Sequence, residues 1–198
     1  STSGPVNGTF ILSGDFTNMN GPLGQQYNGY GVRMEIATDT IPAASTVYLF
    51  GSQNSLPETV VASGADRTLG GPLHFDGYAG RVIVAGPNKM TFGGDISQFW
   101  NSGGSGAPFI LEVDPGSTAQ FDGNWNAYPI QGGNAKPIQK TGNGTLLING
   151  DMTAAALPRS AMQILAGTLG GNGTLTSALV SISSGASVAP GTSAAGTL

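Results

Sequence analysis

Apolar residues in this chain come in short runs broken by polar ones. Thr9 to Leu12, Val32 to Ile36, Thr46 to Phe50, Arg81 to Val84, Phe109 to Val113 and Thr145 to Ile148 each carry the period of two, or the brief apolar run, that a half-buried or buried strand shows. Helical periodicity is nearly absent, because Gly or Pro interrupts almost every stretch beyond about ten residues, the scale a helix needs. Only Asp151 to Leu165 has room for helical turns, and Pro158 divides it. The pattern predicts an all-β chain of many short strands.

The runs are also self-similar. Gly8 to Thr17 reads GTFILSGDFT, Asn88 to Ser97 reads NKMTFGGDIS, and Gly144 to Thr153 reads GTLLINGDMT; Ser117 to Asn126, STAQFDGNWN, is a looser copy. In each, alternation puts two apolar residues on one face: Phe10 and Leu12, Met90 and Phe92, Ala119 and Phe121, Leu146 and Ile148. Those positions are expected to be buried, and Ile11, Thr91, Gln120 and Leu147 to point outward or into a less packed edge. The glycine that follows (Gly14, Gly94, Gly123, Gly150) is expected at a corner that a Cβ would obstruct, with Asp15, Asp95 and Asp151 beside it as turn residues.

From Gly94 to Gly123 is 29 residues and from Gly123 to Gly150 is 27. A unit of that size cannot bury its apolar face alone, so neighbouring copies must stack. The reading is a right-handed parallel β-helix, a solenoid. A β-sandwich is the alternative, since it also uses many short strands but does not call for one strand-Gly-Asp pattern at near-constant spacing.

Composition narrows the classes further. Glycine supplies 33 of 198 residues and charged residues only 9%, against about 25% in an ordinary domain. With 39% hydrophobic residues and a net charge of −4, the chain lacks the signature of disorder. Seven scattered Lys and Arg cannot track a phosphate backbone, so nucleic acid is not an expected partner. Without a run of about 18 apolar residues, this segment is not expected to contact a membrane. The opening at Ser1 carries no signal segment and reads as a processed piece. Cysteine is absent, which removes disulfides and thiolate metal sites.

Two stretches resemble the passenger domains of bacterial autotransporters. Residues 138–151, IQKTGNGTLLINGD, followed by ILAGTLGGNGTLTSALVSISSGASVAPGTSAAGTL up to Leu198, are similar to the family's passenger-associated strand repeat. Residues 66–97, DRTLGGPLHFDGYAGRVIVAGPNKMTFGGDIS, look like the rungs that precede it. No domain boundary is read, so the chain is taken as one continuous domain over 1–198: autotransporter-like rungs in 66–198, and N-terminal rungs or a cap in 1–65, which match the family through GTFILSGDFT alone. The resemblance implies a right-handed β-helix displayed outside a bacterium, at the cell surface or secreted, and no particular ligand, because such passengers include adhesins, proteases and plain spacers. The sparse chemistry below makes the reading a non-catalytic stalk or adhesin segment. Self-association through ends or faces, or contact with surface glycans or proteins, would be its partners' chemistry. The alternatives are a polysaccharide lyase or hydrolase, a carbohydrate-binding module on the same scaffold, or a subunit of a secreted fibre.

Candidate chemistry is sparse. Serine catalysis needs a base, and the sole histidine, His74, sits in HFDG with no Gly-x-Ser-x-Gly elbow anywhere. Asp76, Asp95, Asp122 and Asp151 could stack at one corner as a carboxylate groove, but an Asx residue beside Gly more often caps backbone N–H groups. Glu112 and Asp114 share a strand face, yet calcium wants about six or more oxygens. Neither a cofactor nor a metal is expected, and the chain is read as not an enzyme. Asn7, Asn143 and Asn172 open Asn-Gly-Thr triplets that read as tight turns. Trp100, Trp125 and Tyr128, with Tyr27 and Tyr30, are large aromatics in expected loops, where they could stack on sugar rings. The loop expected at Asn101 to Pro108 would bulge from one rung.

Overall fold

The computed structural model describes residues 8–24, 32–51, 57–77, 80–99, 108–126, 130–131, 134–152, 161–175 and 179–191. Among them lie twenty strands and no helix. Eight strands form one sheet: β1 (Gly8–Leu12), β3 (Val32–Ile36), β5 (Glu58–Ala62), β8 (Arg81–Ala85), β11 (Phe109–Val113), β15 (Ile138–Thr141), β17 (Ala161–Ile164) and β19 (Leu179–Ile182). Six form a second: β6 (Arg67–Leu69), β9 (Lys89–Phe92), β12 (Thr118–Phe121), β16 (Thr145–Ile148), β18 (Thr168–Gly171) and β20 (Ser187–Pro190). Four form a third: β2 (Leu23–Gly24), β4 (Val47–Gly51), β7 (Leu73–Gly77) and β10 (Ile96–Phe99). The short pair β13 (Ile130–Gln131) and β14 (Asn134–Ala135) is antiparallel.

Every pairing in the three large sheets is parallel, and each sheet orders its strands as the chain does. Parallel neighbours need a long crossover, which helices usually supply. Here the other sheets supply it. One lap of chain, for example β8 to β9 to β10, visits the eight-, six- and four-stranded sheets in turn before returning to the first with β11. The single-residue bridges Ile96 to Trp125 and Met152 to Leu175 mark the third sheet's place in later laps. In the first two laps residues 13–22 and 37–46 stand where a strand of the six-stranded sheet would be. The all-parallel sheets are not the antiparallel pairing of the sandwich alternative.

The six runs read as strands are strands β1, β3, β4, β8, β11 and β16. Alternation sends one face of all three sheets into a single core. Met34, Val60, Val84 and Val113 form one in-register column, Met90, Ala119, Leu146 and Leu169 another, and Phe92, Phe121 and Ile148 a third, all buried. β-branched and aromatic residues suit these pleated, fully covered positions.

Two expectations about register need correction. The copies at 88–97, 117–126 and 144–153 stack as β9, β12 and β16, but Gly8 to Thr17 forms β1 of the eight-stranded sheet and is not their equivalent. Phe10 is 53% exposed, because among the described residues no strand lies beyond β1 to cover it. Thr91 is buried, held in register between Thr68 and Gln120.

Candidate functional site

The three corners of a lap differ in how much length they tolerate. Between the six-stranded sheet and the third sheet's position, the connections are residues 70–72, 93–95, 122–124, 149–151 and 172–174, three each. Between the eight- and six-stranded sheets they are 63–66, 86–88, 114–117, 142–144, 165–167 and 183–186, three or four each. At the third corner, leading back to the eight-stranded sheet, they are 25–31, 52–57, 78–80, 100–108, 126–137, 153–160 and 176–178, which run from three residues to twelve. Length varies at one edge only.

The constant corner is constant for a physical reason. Gly71, Gly94, Gly123, Gly150 and Gly173 lie one above another, and a Cβ on Gly94 would overlap the carbonyl oxygen of Gly71, one on Gly123 that of Gly94, one on Gly150 that of Gly123, and one on Gly173 that of Gly150. None of these five has a positive φ, so it is space and not dihedral freedom that excludes a side chain. Gly14 is the converse: its φ is 107° and nothing stands within 4 Å of its missing Cβ. Backbone bonds continue the ladder through this corner, from Leu73 N to Asp95 O, Ile96 N to Asn124 O, Trp125 N to Asp151 O and Met152 N to Thr174 O.

Asx side chains flank the glycines and tie each lap to the next. Asp95 accepts from Asn124 N at 2.8 Å and from Asn126 Nδ2 at 2.9 Å. Asn124 accepts from Asp151 N at 3.0 Å, and Asp151 from Thr174 N at 3.2 Å. Asp122 accepts from Gln120 and from Asn149, whose own amide oxygen accepts from Asn172 N. On the other side of the six-stranded sheet, Asp39 takes Thr68 N and Asp66 takes Lys89 N. Asp39, Asp66, Asp95 and Asp151 cap backbone N–H groups 23 to 29 residues away rather than in their own turn, whereas Asp122 accepts from side-chain amides. Asp15 alone caps locally: Thr17 N donates to it at 2.9 Å, and Thr17 holds its carboxyl below the usual range.

The remaining candidates fall as follows. Trp125 is fully buried, with its ring 5.3 Å from Phe121 and 6.4 Å from Phe75, so it belongs to the core and cannot stack on an external sugar. Trp100, Tyr128, Tyr27, Tyr30 and Asn7 lie outside the described residues, as does the loop from Asn101 to Ala107. In sequence, the four aromatics belong to the connections of the variable corner, as does Tyr78. His74 stands edge-on to Tyr48 at 4.8 Å in the four-stranded sheet. Glu112 is paired with Arg81 across the eight-stranded sheet, which occupies the carboxylate imagined beside Asp114. Among the described residues no group of three His, Cys, Asp or Glu could hold a metal, and no helix is long and apolar enough to cross a membrane.

Among the described residues three buried charged groups escaped the sequence reading: Glu58, Lys136 and, most deeply, Lys140. Lys140 stands in the core column between Leu111 and Ile164, fully buried, and its ammonium donates to the carbonyls of Thr141 (2.9 Å), Ala166 (3.0 Å) and Gly142. Burial pushes it down to about 8 from an ordinary 10.5, and Glu112 pulls the other way. The signal was present in IQKT, where Lys140 shares the inward parity of Ile138.

The class these features define is an all-β protein of parallel sheets whose connections are uneven in length at one edge. No family model, curated protein or solved structure matches the chain.

Proposed function

We propose that the chain is a right-handed parallel β-helix that serves, without catalysis, as a stalk and contact surface outside a cell, in the manner of an autotransporter passenger. Right-handed crossovers dominate wherever parallel strands of one sheet are joined, which supports the hand. The variable corner carries the functional reading. In solenoids, insertions in successive repeats collect on one face, and that face is often the binding face. Here three to twelve residues per lap are given to that edge while the other two corners stay at three or four. The Asp residues beside the glycine column support the non-catalytic reading, since Asp95, Asp122 and Asp151 each accept a hydrogen bond from the neighbouring lap.

The test shortens residues 100–108 and 153–160 to three-residue links, separately and together. Binding of the parent and the variants to an array of glycans and extracellular-matrix proteins is then compared. The reading expects thermal stability within a few degrees of the parent and loss of any ligand the parent holds. Binding that survives loss of both connections, or a parent that binds nothing on the array, would count against a contact edge there. For the surface assignment, the sequence encoded downstream is decisive: a C-terminal membrane barrel supports it, and another kind of partner gene opposes it.

A further inference from the structure

We infer that the groove beside Ser45, between the first two laps, is a binding site for a neutral sugar ring. Residue 45 holds the place in the constant corner that glycine holds in each later lap described. Val47 N donates to Pro72 O and Leu23 N to Thr46 O, as Leu73 N does to Asp95 O, so Ser45 is in line with Gly71 and Gly94. In those later laps a Cβ at this place would meet a carbonyl of the lap before, and on Gly71 it would meet the carbonyl of Ser45 itself. Ser45 carries a Cβ all the same. The first lap therefore cannot settle at this point as the others do, and a groove of about 430 Å³ opens between residues 19–22 of the first lap and residues 44–46 and Tyr48 of the second. That volume lies within the range of about 300–1,000 Å³ that small-ligand sites occupy.

The walls say what the groove could hold. Asn20 brings an amide and Ser45, Thr46 and Tyr48 bring hydroxyls, groups that both give and take hydrogen bonds. None of these four side chains hydrogen-bonds to another described residue, although Ser45 is only 4% exposed. A buried polar group left open in a native fold calls for an explanation, and a ligand is one. Met19, Pro22 and Ala44 add apolar surface. The ring of Tyr48 is braced edge-on by His74 at 4.8 Å, and its partner in the first lap, Gly24, brings no side chain beside it.

Among the described residues none that lines the groove is charged, so an anion or a metal ion finds no counter-charge there. A wholly apolar ligand would strand the hydroxyls. A pyranose carries hydroxyls around its rim and an apolar C–H face that suits an aromatic ring, which matches both kinds of wall. The frame is also fixed in advance: Ser45 N donates to Pro42 O at 2.9 Å and Leu23 N to Thr46 O at 2.8 Å, so little ordering is left to oppose binding. This corner lies at the opposite end of the third sheet's strands from the variable connections, so the site goes beyond the contact edge proposed above and neither needs the other.

Nuclear magnetic resonance titration of the isotope-labelled 198-residue chain tests this. The probes are the methyl glycosides of glucose, galactose, mannose and N-acetylglucosamine, with glucuronate as the anionic control. At least one neutral glycoside should shift the backbone amides of Asn20, Gly21, Ser45, Thr46 and Tyr48 together and saturably. Ser45→Ala keeps the Cβ that holds the groove open and breaks no internal bond. Its melting temperature should match the parent's, while its Kd for that glycoside should rise about three- to tenfold, the worth of one hydrogen bond. Tyr48→Ala should abolish saturable binding; if it fails to fold by circular dichroism, Tyr48→Phe replaces it and should weaken binding by a similar three- to tenfold factor, about what one hydrogen bond contributes. No saturable shift at these amides, tighter binding of glucuronate, or an affinity untouched by Ser45→Ala and the Tyr48 variant overturns the site. Shortening residues 100–108 and 153–160 should leave these shifts in place. Shifts lost on shortening would put the sugar at the variable edge and overturn the groove alone.

Discussion

The rings of Phe92 and Phe121 lie nearly flat on one another, centroids 4.7 Å apart and planes 18° from parallel, one lap separating them in the chain. Phe121 in turn touches Trp125 and Phe75, so aromatic contact runs from lap to lap inside the core. Phe92→Ala should therefore cost about 3–5 kcal/mol, the usual range for a buried aromatic with the cavity it leaves. Thr118→Ala, on the outward side of the adjacent strand, should stay within about 0.5 kcal/mol. Urea unfolding of both variants checks this, and equal losses would mean that the two faces are exchanged.

Glycines of the two kinds should respond differently to a methyl group. Gly123→Ala places a Cβ on the carbonyl of Gly94, backbone that cannot step aside without moving the whole lap. A loss of about 3 kcal/mol or more is expected, at the upper end of overpacking costs. Gly14→Ala meets open space and only the left-handed dihedral, which should cost about 1–2 kcal/mol. Thermal melts of the two variants should differ clearly, in that order.

Asp95 holds two groups of the following lap, Asn124 N and Asn126 Nδ2. Asp95→Ala should lose about 1–3 kcal/mol, since it strands a backbone donor and removes charge-assisted bonds. Asp95→Asn should lose less, because one amide oxygen does the same work at Asn124. Hydrogen exchange would localise the loss: protection should fall first around residues 124–126.

Lys140 gives the stability a dependence on pH. Its folded value near 8 lies below the ordinary 10.5, so burial penalises the charged form in the folded state. Below about 8 both states are protonated and that penalty is present in full. Between about 8 and 10.5 the unfolded state binds more protons, and stability rises with pH. The melting temperature of the parent, measured against Lys140→Met, should climb from pH 7.5 to 10. A difference that stays flat would mean that the three carbonyls hold the ammonium charged throughout.

Strands were the most legible part of this chain, because period-two alternation is local: IQKT, TLLI and FILEV carry their own inside and outside. Which sheet a strand joins is not local, and that is why GTFILSGDFT passed for a copy of GTLLINGDMT while lying on another sheet. Trp125 was misplaced for a related reason. Between Asn124 and Asn126 it looks like a loop residue, yet it stands two residues after the corner glycine, as Ile96, Met152 and Leu175 do, and those are the inward positions of the third sheet. Alignment of the copies on Gly94, Gly123, Gly150 and Gly173 would have shown it. The exclusion at the glycine column was readable as a pattern, but its cause, the carbonyl of the preceding lap, needs the stack itself.

The three-residue corner has a consequence for how this molecule could change over time. Each lap takes its position from the glycine and Asx contacts of the lap before it, so the count of residues is in effect reset at every circuit. A deletion of one residue in 122–124 would disturb everything stacked above, whereas ten residues gained in 100–108 would leave the next corner where it was. Mutational drift in such a chain is therefore channelled: point changes are filtered by the interior, and length changes accumulate along one seam. A foreign peptide spliced into that seam should be carried without a shift in the register of the sheets on either side of it.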